Sequence, residues 1–342
     1  MGYAKENRKI TKKLKIIKTV VLVVAVLLLV AFCVFSYFVP METWQYYVKK
    51  PKTGKRATGE LRVHFLDVGQ GDCTLIELPD GKIMMIDGGN GEKSTQKTVL
   101  RYLNALDVDT IDYLVVTHAD SDHCGSLDAV LKYKQVKRAF LPIASETENG
   151  DYASFYAALV KEGCPFALAC PPDGENLETQ IQSGDTAYKY TFAFLYPHRS
   201  MLDGATETPK ESNARSVVSW LDYQGASILF TGDAPVQTEQ TLLRDDTAGL
   251  LSRYGVELSS TEILKVAHHG GNGSTALEFL KRLGVKTAVI SCGENNAYGH
   301  PSDEVTTALT SAGAEIMRTD KRGHILLTVK KDGSYAFRAL GK

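Results

Sequence analysis

No two cysteines in this chain are spaced as CxxC, which excludes a zinc ribbon. Cys164 and Cys170 are close enough to pair in an oxidising compartment; otherwise Cys73, Cys124, Cys164, Cys170 and Cys292 read as buried free thiols. No internal repeat stands out. No small-x-small cleavage site follows the long apolar run near the N-terminus, which favours an uncleaved anchor over a removed signal peptide. Val30-Ala31-Phe32-Cys33 is a poor lipoprotein box, because bulky Phe32 precedes the cysteine. A positive surplus is missing too. Of 39 Lys and Arg and 40 acids, residues 1–56 hold twelve and two. The rest of the chain therefore carries 27 cations against 38 anions, a net of −11. So acidic a body argues against broad nonspecific adhesion to nucleic acid.

What is present falls into two parts. The 342 residues, 44% apolar, can build a sizeable core. Residues 5–18 are basic, and residues 19–39 follow without a charge and almost wholly apolar. As a helix that run is about 30 Å long, enough for a bilayer core. The positive-inside rule places the N-terminus in the cytoplasm, although Lys49, Lys50, Lys52, Lys55 and Arg56 follow on the far side. Residues 41–59, with Pro51, Gly54 and Gly59, read as a linker, and its basic part suits anionic headgroups. The expected organisation is a cytoplasmic basic segment (1–18), a transmembrane signal anchor (19–40), a linker (41–59) and one folded domain (60–342) outside a single-pass cell membrane.

From Leu61 the pattern is α/β. Strands are expected over 61–66, 73–78, 82–86, 113–116, 191–196, 263–266 and 287–291, with closing strands around 325–329 and 336–340. Residues 217–223 and 227–231 form a hairpin around Gln224-Gly225. Helices are expected over 95–106, 128–133, 152–162, 276–283 and 302–311, the last capped by Ser302. Residues 173–184 and 198–211 read as loops.

The most informative stretch follows Tyr113-Leu114-Val115-Val116. His118, Asp120, Asp122 and His123 fall within six residues at the end of an apolar strand. Imidazole nitrogen and carboxylate oxygen together suit a hydrolytic divalent metal site. Four more polar clusters follow strands or their turns: Asp87-Gly88-Gly89-Asn90, Gly232-Asp233, His268-His269 and Tyr298-Gly299-His300-Pro301. An α/β scaffold gathers its site at strand ends, where side chains are exposed but rigidly held. Five such clusters, all offering His or Asp, suggest one shared metal centre. Singly, each has a plainer explanation. Asp233 could cap a helix, and His300 could serve a turn. Asp67 and Asp72 could hold the Gly-rich turn as well as touch metal. His64, His198 and His324 read as structural.

The order of motifs resembles the metallo-β-lactamase superfamily, an αβ/βα sandwich with metals at one edge. More narrowly it resembles the hydrolase domain of ComEC-type competence proteins. The matching residues are 66–72 (LDVGQGD), 85–89 (MIDGG), 117–125 (THADSDHCG), 229–233 (LFTGD), 264–270 (LKVAHHG) and 296–301 (NAYGHP). One transmembrane segment stands where a many-helix channel would be, so the likeness is to the hydrolase domain and not to a DNA translocator.

The resemblance implies two metal subsites. His118 and Asp120 feed one; Asp122, His123 and His269 feed the other; Asp233 bridges them, and Asp87 is a supporting acid. Asp120 stands where most of the superfamily has His, and Asn213 lies near the place of the first subsite's missing histidine. That oxygen-rich set shifts the expectation for two divalent ions from zinc toward manganese or mixed occupancy. Asp122, His268 and His300 are the expected catalytic residues, with His268 or His300 contacting phosphoryl oxygens or protonating the leaving group. The implied function is a phosphodiesterase or nuclease using a metal-activated hydroxide on single-stranded nucleic acid or a small phosphodiester. The alternatives are hydrolysis of a β-lactam or another amide or ester, and a non-catalytic DNA-uptake or envelope component.

Overall fold

The structure is a computed structural model and describes residues 2–38, 41–171, 180–182, 188–201 and 208–341. Residues 172–179, 183–187 and 202–207, which include parts of the two expected loops, lie outside the described residues. The chain divides into two units, Met1–Lys49 and Lys50–Lys342.

The first unit is a helix, Gly2–Phe38, followed by a 3-10 turn, Met41–Tyr46. Its segment Thr11–Phe38 is 28 residues long with a mean hydropathy of 3.0 in its most apolar window. It is long and apolar enough to cross a membrane. Trp44 packs edge-on against Phe32 and Phe35, with ring centroids 5.0 and 5.1 Å away.

Residues 50–60 belong to the second unit, so part of the stretch expected as a linker is tied down. Thr53 O accepts from Arg338 Nη2 at 2.7 Å, and Lys55 O from Arg62 Nη2 at 2.6 Å. Pro51, Gly54 and Gly59 marked this stretch as a linker, but its backbone carbonyls fix part of it.

Two sheets make the body of the second unit. Across the first run Tyr335–Gly341, His324–Val329, Leu61–Phe65, Thr74–Glu77, Ile83–Ile86, Tyr113–Val115, Ala139–Leu141 and Phe166–Leu168. Across the second run Glu315–Arg318, Thr287–Ile290, Ile263–Lys265, Ala226–Phe230, Val218–Tyr223, Tyr190–Tyr196 and Gln180–Gln182. The expected α/β sandwich is present. Side chains alternate between faces with the period of two that a strand imposes. Ile228, Phe230, Ile263 and Val289 join Leu61, Val63 and Phe65 in the core between the sheets. Their neighbours Leu229, Leu264, Ala288 and Ile290 point the other way, where Leu242, Phe279, Leu280, Val305 and Leu309 of three helices cover them.

One side of each sheet is parallel. Ile83–Ile86, Tyr113–Val115 and Ala139–Leu141 run together in one, and Ala226–Phe230, Ile263–Lys265 and Thr287–Ile290 in the other. Every polar cluster but one therefore leaves its strand at a carboxyl end, where a parallel α/β layer places its site. The remaining one, around His300, precedes the helix Asp303–Ser311, whose Ser302 accepts from Val305 N at 3.3 Å as expected of its cap.

Phe194 lies fully buried in the central core, 5.1 Å from Phe140 of the opposite sheet and 5.4 Å from Phe192. Phe194→Ala is expected to lower unfolding stability by about 3–5 kcal/mol in denaturant titration, because both layers lose contacts there.

Candidate metal centre

Asp87 follows Ile83–Ile86 in a left-handed backbone conformation (φ 57°) and is buried. Its carboxylate takes Thr117 N–H at 2.8 Å on one oxygen and Thr117 Oγ1–H at 2.7 Å on the other. The second oxygen also faces His123 Nδ1 at 2.8 Å. A hydroxyl has one proton. Thr117 gives that proton to Asp87, so Oγ1 can only accept from His118 Nδ1, 3.0 Å away. Farther along the chain, His269 Nδ1 meets the carbonyl of Ser291 at 3.0 Å. Each of the three imidazoles thus has its Nδ1 engaged from behind, which orients Nε2 forward, as in metal-ligating histidines.

Those three Nε2 atoms, of His118, His123 and His269, are buried and have no hydrogen-bond partner. They converge on Asp233, which is itself buried with Oδ1 unpartnered. His123 Nε2 is 3.2 Å from Asp233 Oδ1; His269 Nε2 and His118 Nε2 are 3.7 and 3.8 Å from Oδ2. Asp122 Oδ2 stands 3.2 Å from His269 Nε2, and Asp120 Oδ2 stands 3.7 Å from His118 Nε2. Partnerless buried nitrogen and oxygen atoms at one point are costly unless something fills the gap. A divalent cation fits this donor set, which has imidazole on one side and carboxylate on the other.

The expected residues divide by position. His118, Asp120, Asp122, His123, Asp233 and His269 gather around one point. One oxygen of Asp72 joins them, and the ligand atoms of Asp72, His123, Asp233 and His269 all lie within 4.8 Å of one another. Asp87 stands behind as a supporting acid. His268 is at the rim, 4.0 Å from Asp233 Oδ2, and the His300 ring lies 5.2 Å from the His268 ring. Asn213 lines a cavity of about 880 Å³ together with Asp120, Asp233 and His268. Asp67 goes elsewhere. It holds the turn by accepting from Gly69 N at 3.3 Å, and its own N–H donates to His324 Nδ1 at 3.0 Å. His64 and His198 are also held structurally, by Tyr102 and Glu77 and by Asp245 respectively.

His268 and His269 have φ of 51° and 54°. Left-handed backbone at a residue other than glycine costs about 1–3 kcal/mol and clusters at functional sites. The twist turns two consecutive side chains in different directions, His269 inward and His268 toward the cavity. Gly271 follows because a Cβ there would meet His300 Nε2 at 2.8 Å and His268 Nδ1 at 2.9 Å.

The electrostatics follow from crowding. Burial opposes charge on His123, but Asp233 and Asp87 outweigh it and hold its pKa well above the ordinary imidazole value. His269 is raised in the same way, by Asp233 and Asp122 against its burial. Burial and the neighbouring His123 lower His118. Burial would raise the Asp233 carboxyl, yet His123 and His269 keep it well below the usual range. Burial, then His268 and His269, lower His300.

Three contributors escape a reading based on His and Asp. Thr117 and the Ser291 carbonyl set tautomers, which no ligand pattern reveals. Lys265 donates to Asp72 Oδ2 at 2.8 Å and is buried. Its signal was a lone charge inside the apolar strand Ile263–Lys265, an unusual place for lysine.

Two outcomes follow for cation binding. His123 and His269 have raised pKa values, so the metal-free protein holds protons that a cation must displace. Affinity is expected to fall by at least about tenfold for each pH unit below those values, with proton release measurable by titration calorimetry in buffers of different ionisation enthalpy. Asp87→Asn is expected to weaken cation affinity about 10–100-fold in the same titration, because His123 and Thr117 lose their anchor.

The chain is similar to known proteins. The profile of the metallo-beta-lactamase superfamily matches residues 66–294. ComE operon protein 3 of Bacillus subtilis (strain 168) is 29% identical over 283 residues, covering 78% of this chain and 33% of that protein. Competence protein ComA of Neisseria gonorrhoeae is 28% identical over 283 residues, covering 82% and 34%. The chain thus spans about a third of the length of these curated relatives. Among solved structures, the metallo-beta-lactamase fold protein YhfI from Bacillus subtilis shares 12% identity at a TM-score of 0.46, covering 82% of this chain and all of that one. Motif order, sheet topology and family profile agree: the chain belongs to the metallo-β-lactamase superfamily.

Proposed function

We propose that this chain is a membrane-anchored, metal-dependent phosphodiesterase of nuclease-like type, with a centre for two divalent cations. One observation carries the reading: three partnerless imidazole nitrogens, from His118, His123 and His269, converge on the single buried carboxylate of Asp233. In this reading His118 and Asp120 would hold one cation, Asp122, His123 and His269 would hold the other, and Asp233 would serve both. Zinc or manganese fits, with the carboxylates favouring the harder ion. Such a pair would lower the pKa of a bound water and clamp the oxygens of a phosphoryl group.

The chain's own groups supply the rest. Asp87 and Thr117 hold the His118 and His123 imidazoles from behind, and the Ser291 carbonyl holds that of His269. The cavity beside Asp120 and Asp233 gives the substrate room to approach. His300, whose pKa burial and its two histidine neighbours lower, suits hydrogen bonding to a phosphoryl oxygen. His268, at the rim beside Asp233, is placed to hand a proton to the leaving oxygen. One relative, ComA, is named a competence protein, and by that likeness we assign single-stranded nucleic acid or a small phosphodiester as substrate. The apolar helix would serve as the anchor, with the basic segment inside the cell and the catalytic unit outside.

The test uses the full chain in detergent, with an aryl phosphodiester, single-stranded DNA and a chromogenic β-lactam as substrates. Phosphodiester turnover is expected, lost on chelation and restored by manganese or zinc. Turnover of the lactam alone would overturn the reading. Asp233→Asn is expected to abolish binding of the cation pair together with hydrolysis, and unchanged metal stoichiometry and rate would remove its bridging role.

A further inference from the structure

Beneath the site lies a buried ion pair that the two-subsite scheme does not use. Lys265 ends the strand Ile263–Lys265 of one sheet, and Asp72 sits in the turn between Leu61–Phe65 and Thr74–Glu77 of the other. Lys265 Nζ donates to Asp72 Oδ2 at 2.8 Å and to the Val266 carbonyl at 3.0 Å, and both side chains are buried. The backbone of Asp72 is fixed as well. Its N–H donates to Asp122 O at 3.1 Å, and its carbonyl accepts from Gly89 N at 2.7 Å. Gly71 permits that approach, at φ 136°, because a Cβ there would fall 2.4 Å from Asp122 O.

This clamp leaves one oxygen over. Asp72 Oδ1 is buried without a hydrogen-bond partner and lies 3.8 Å from His269 Nδ1, and a carboxylate oxygen of Asp72 falls within 4.8 Å of ligand atoms of His123, Asp233 and His269. A carboxylate held only to complete an ion pair would be expected to satisfy both oxygens. Here a cation holds one oxygen, and the other is presented to the cluster.

We infer that Asp72 is a further oxygen ligand of the cation held by His123 and His269, with Lys265 as the positioning residue that fixes its carboxylate. The inference rests on the metal centre proposed above and is independent of the substrate assigned there. It gives that subsite two imidazoles and three carboxylates, from Asp72, Asp122 and Asp233. Five donors with an oxygen majority exceed the tetrahedral set zinc prefers and suit a harder ion such as manganese. Lys265 also offsets part of the added negative charge, so a third carboxylate is accommodated at one cation.

The test measures cation binding with manganese and zinc alone, on the full chain in detergent, with no substrate present. Asp72→Asn is expected to reduce manganese affinity about 10–100-fold and zinc affinity less, so the manganese-to-zinc preference falls. Lys265→Met is expected to shift the preference in the same direction by freeing the Asp72 carboxylate. Should either Asp72 or Lys265 variant fail to fold, the unaltered protein still decides the matter. A manganese-loaded crystal structure is expected to place an Asp72 oxygen at about 2.0–2.3 Å from an anomalous peak. A peak at the His123–His269 position with Asp72 out of bonding range overturns the inference and leaves the metal centre standing. So does an unchanged manganese-to-zinc preference in a folded Asp72→Asn. Absence of any bound cation in the unaltered protein overturns both.

Discussion

The site depends first on one shared proton. Thr117 Oγ1–H is given to Asp87, and that single donation decides what the hydroxyl can do for its neighbours. It must accept from His118, while Asp87 takes the Nδ1 proton of His123. Two imidazoles are thereby fixed in tautomer and direction by one buried carboxylate and one hydroxyl. Because Asp87 and Thr117 leave adjacent parallel strands, the arrangement is as rigid as the sheet beneath it.

The two layers contribute unlike parts. The first sheet brings His118, Asp120, Asp122 and His123 from one turn, with Asp87 and Asp72 close behind. The second brings Asp233 after Ala226–Phe230 and the two histidines after Ile263–Lys265. Registry between layers is therefore a condition for the centre to exist. The core supplies it, with Phe65, Phe140, Phe194 and Phe230 interleaved between the sheets. The strained pair His268-His269 persists because that packing and the Ser291 carbonyl over-determine its conformation.

Much of this was legible in the sequence, for a physical reason. Strands of alternating or continuous apolar residues announce themselves, and charge beside a buried strand is rare enough to stand out. His118, Asp120, Asp122, His123, Asp233 and His269 were all visible on that basis. What was hidden were relations between atoms distant in the chain. The Ser291 carbonyl behind His269 has no side-chain signature. Nor could the sequence separate Asp67 from Asp72, five residues apart in one turn. One faces the backbone of its own loop and the other faces the cluster, and only the partner Lys265, 193 positions away, distinguishes them. Short strands such as Phe166–Leu168 were missed because three residues carry too little periodicity to read.

All six cysteines are free thiols, so no disulfide joins the two layers. Their donors meet at one point all the same. A cation seated among His118, His123, Asp233 and His269 would act as a cross-link between sheets, made and unmade by the concentration of free metal. At a hundredfold excess over its dissociation constant, a ligand bound only by the folded state adds about 2.7 kcal/mol to stability. That is a sizeable fraction of what holds an ordinary domain together. The folded lifetime of this chain would then track the metal content of its surroundings, much as a secreted protein's lifetime tracks redox conditions through its disulfides.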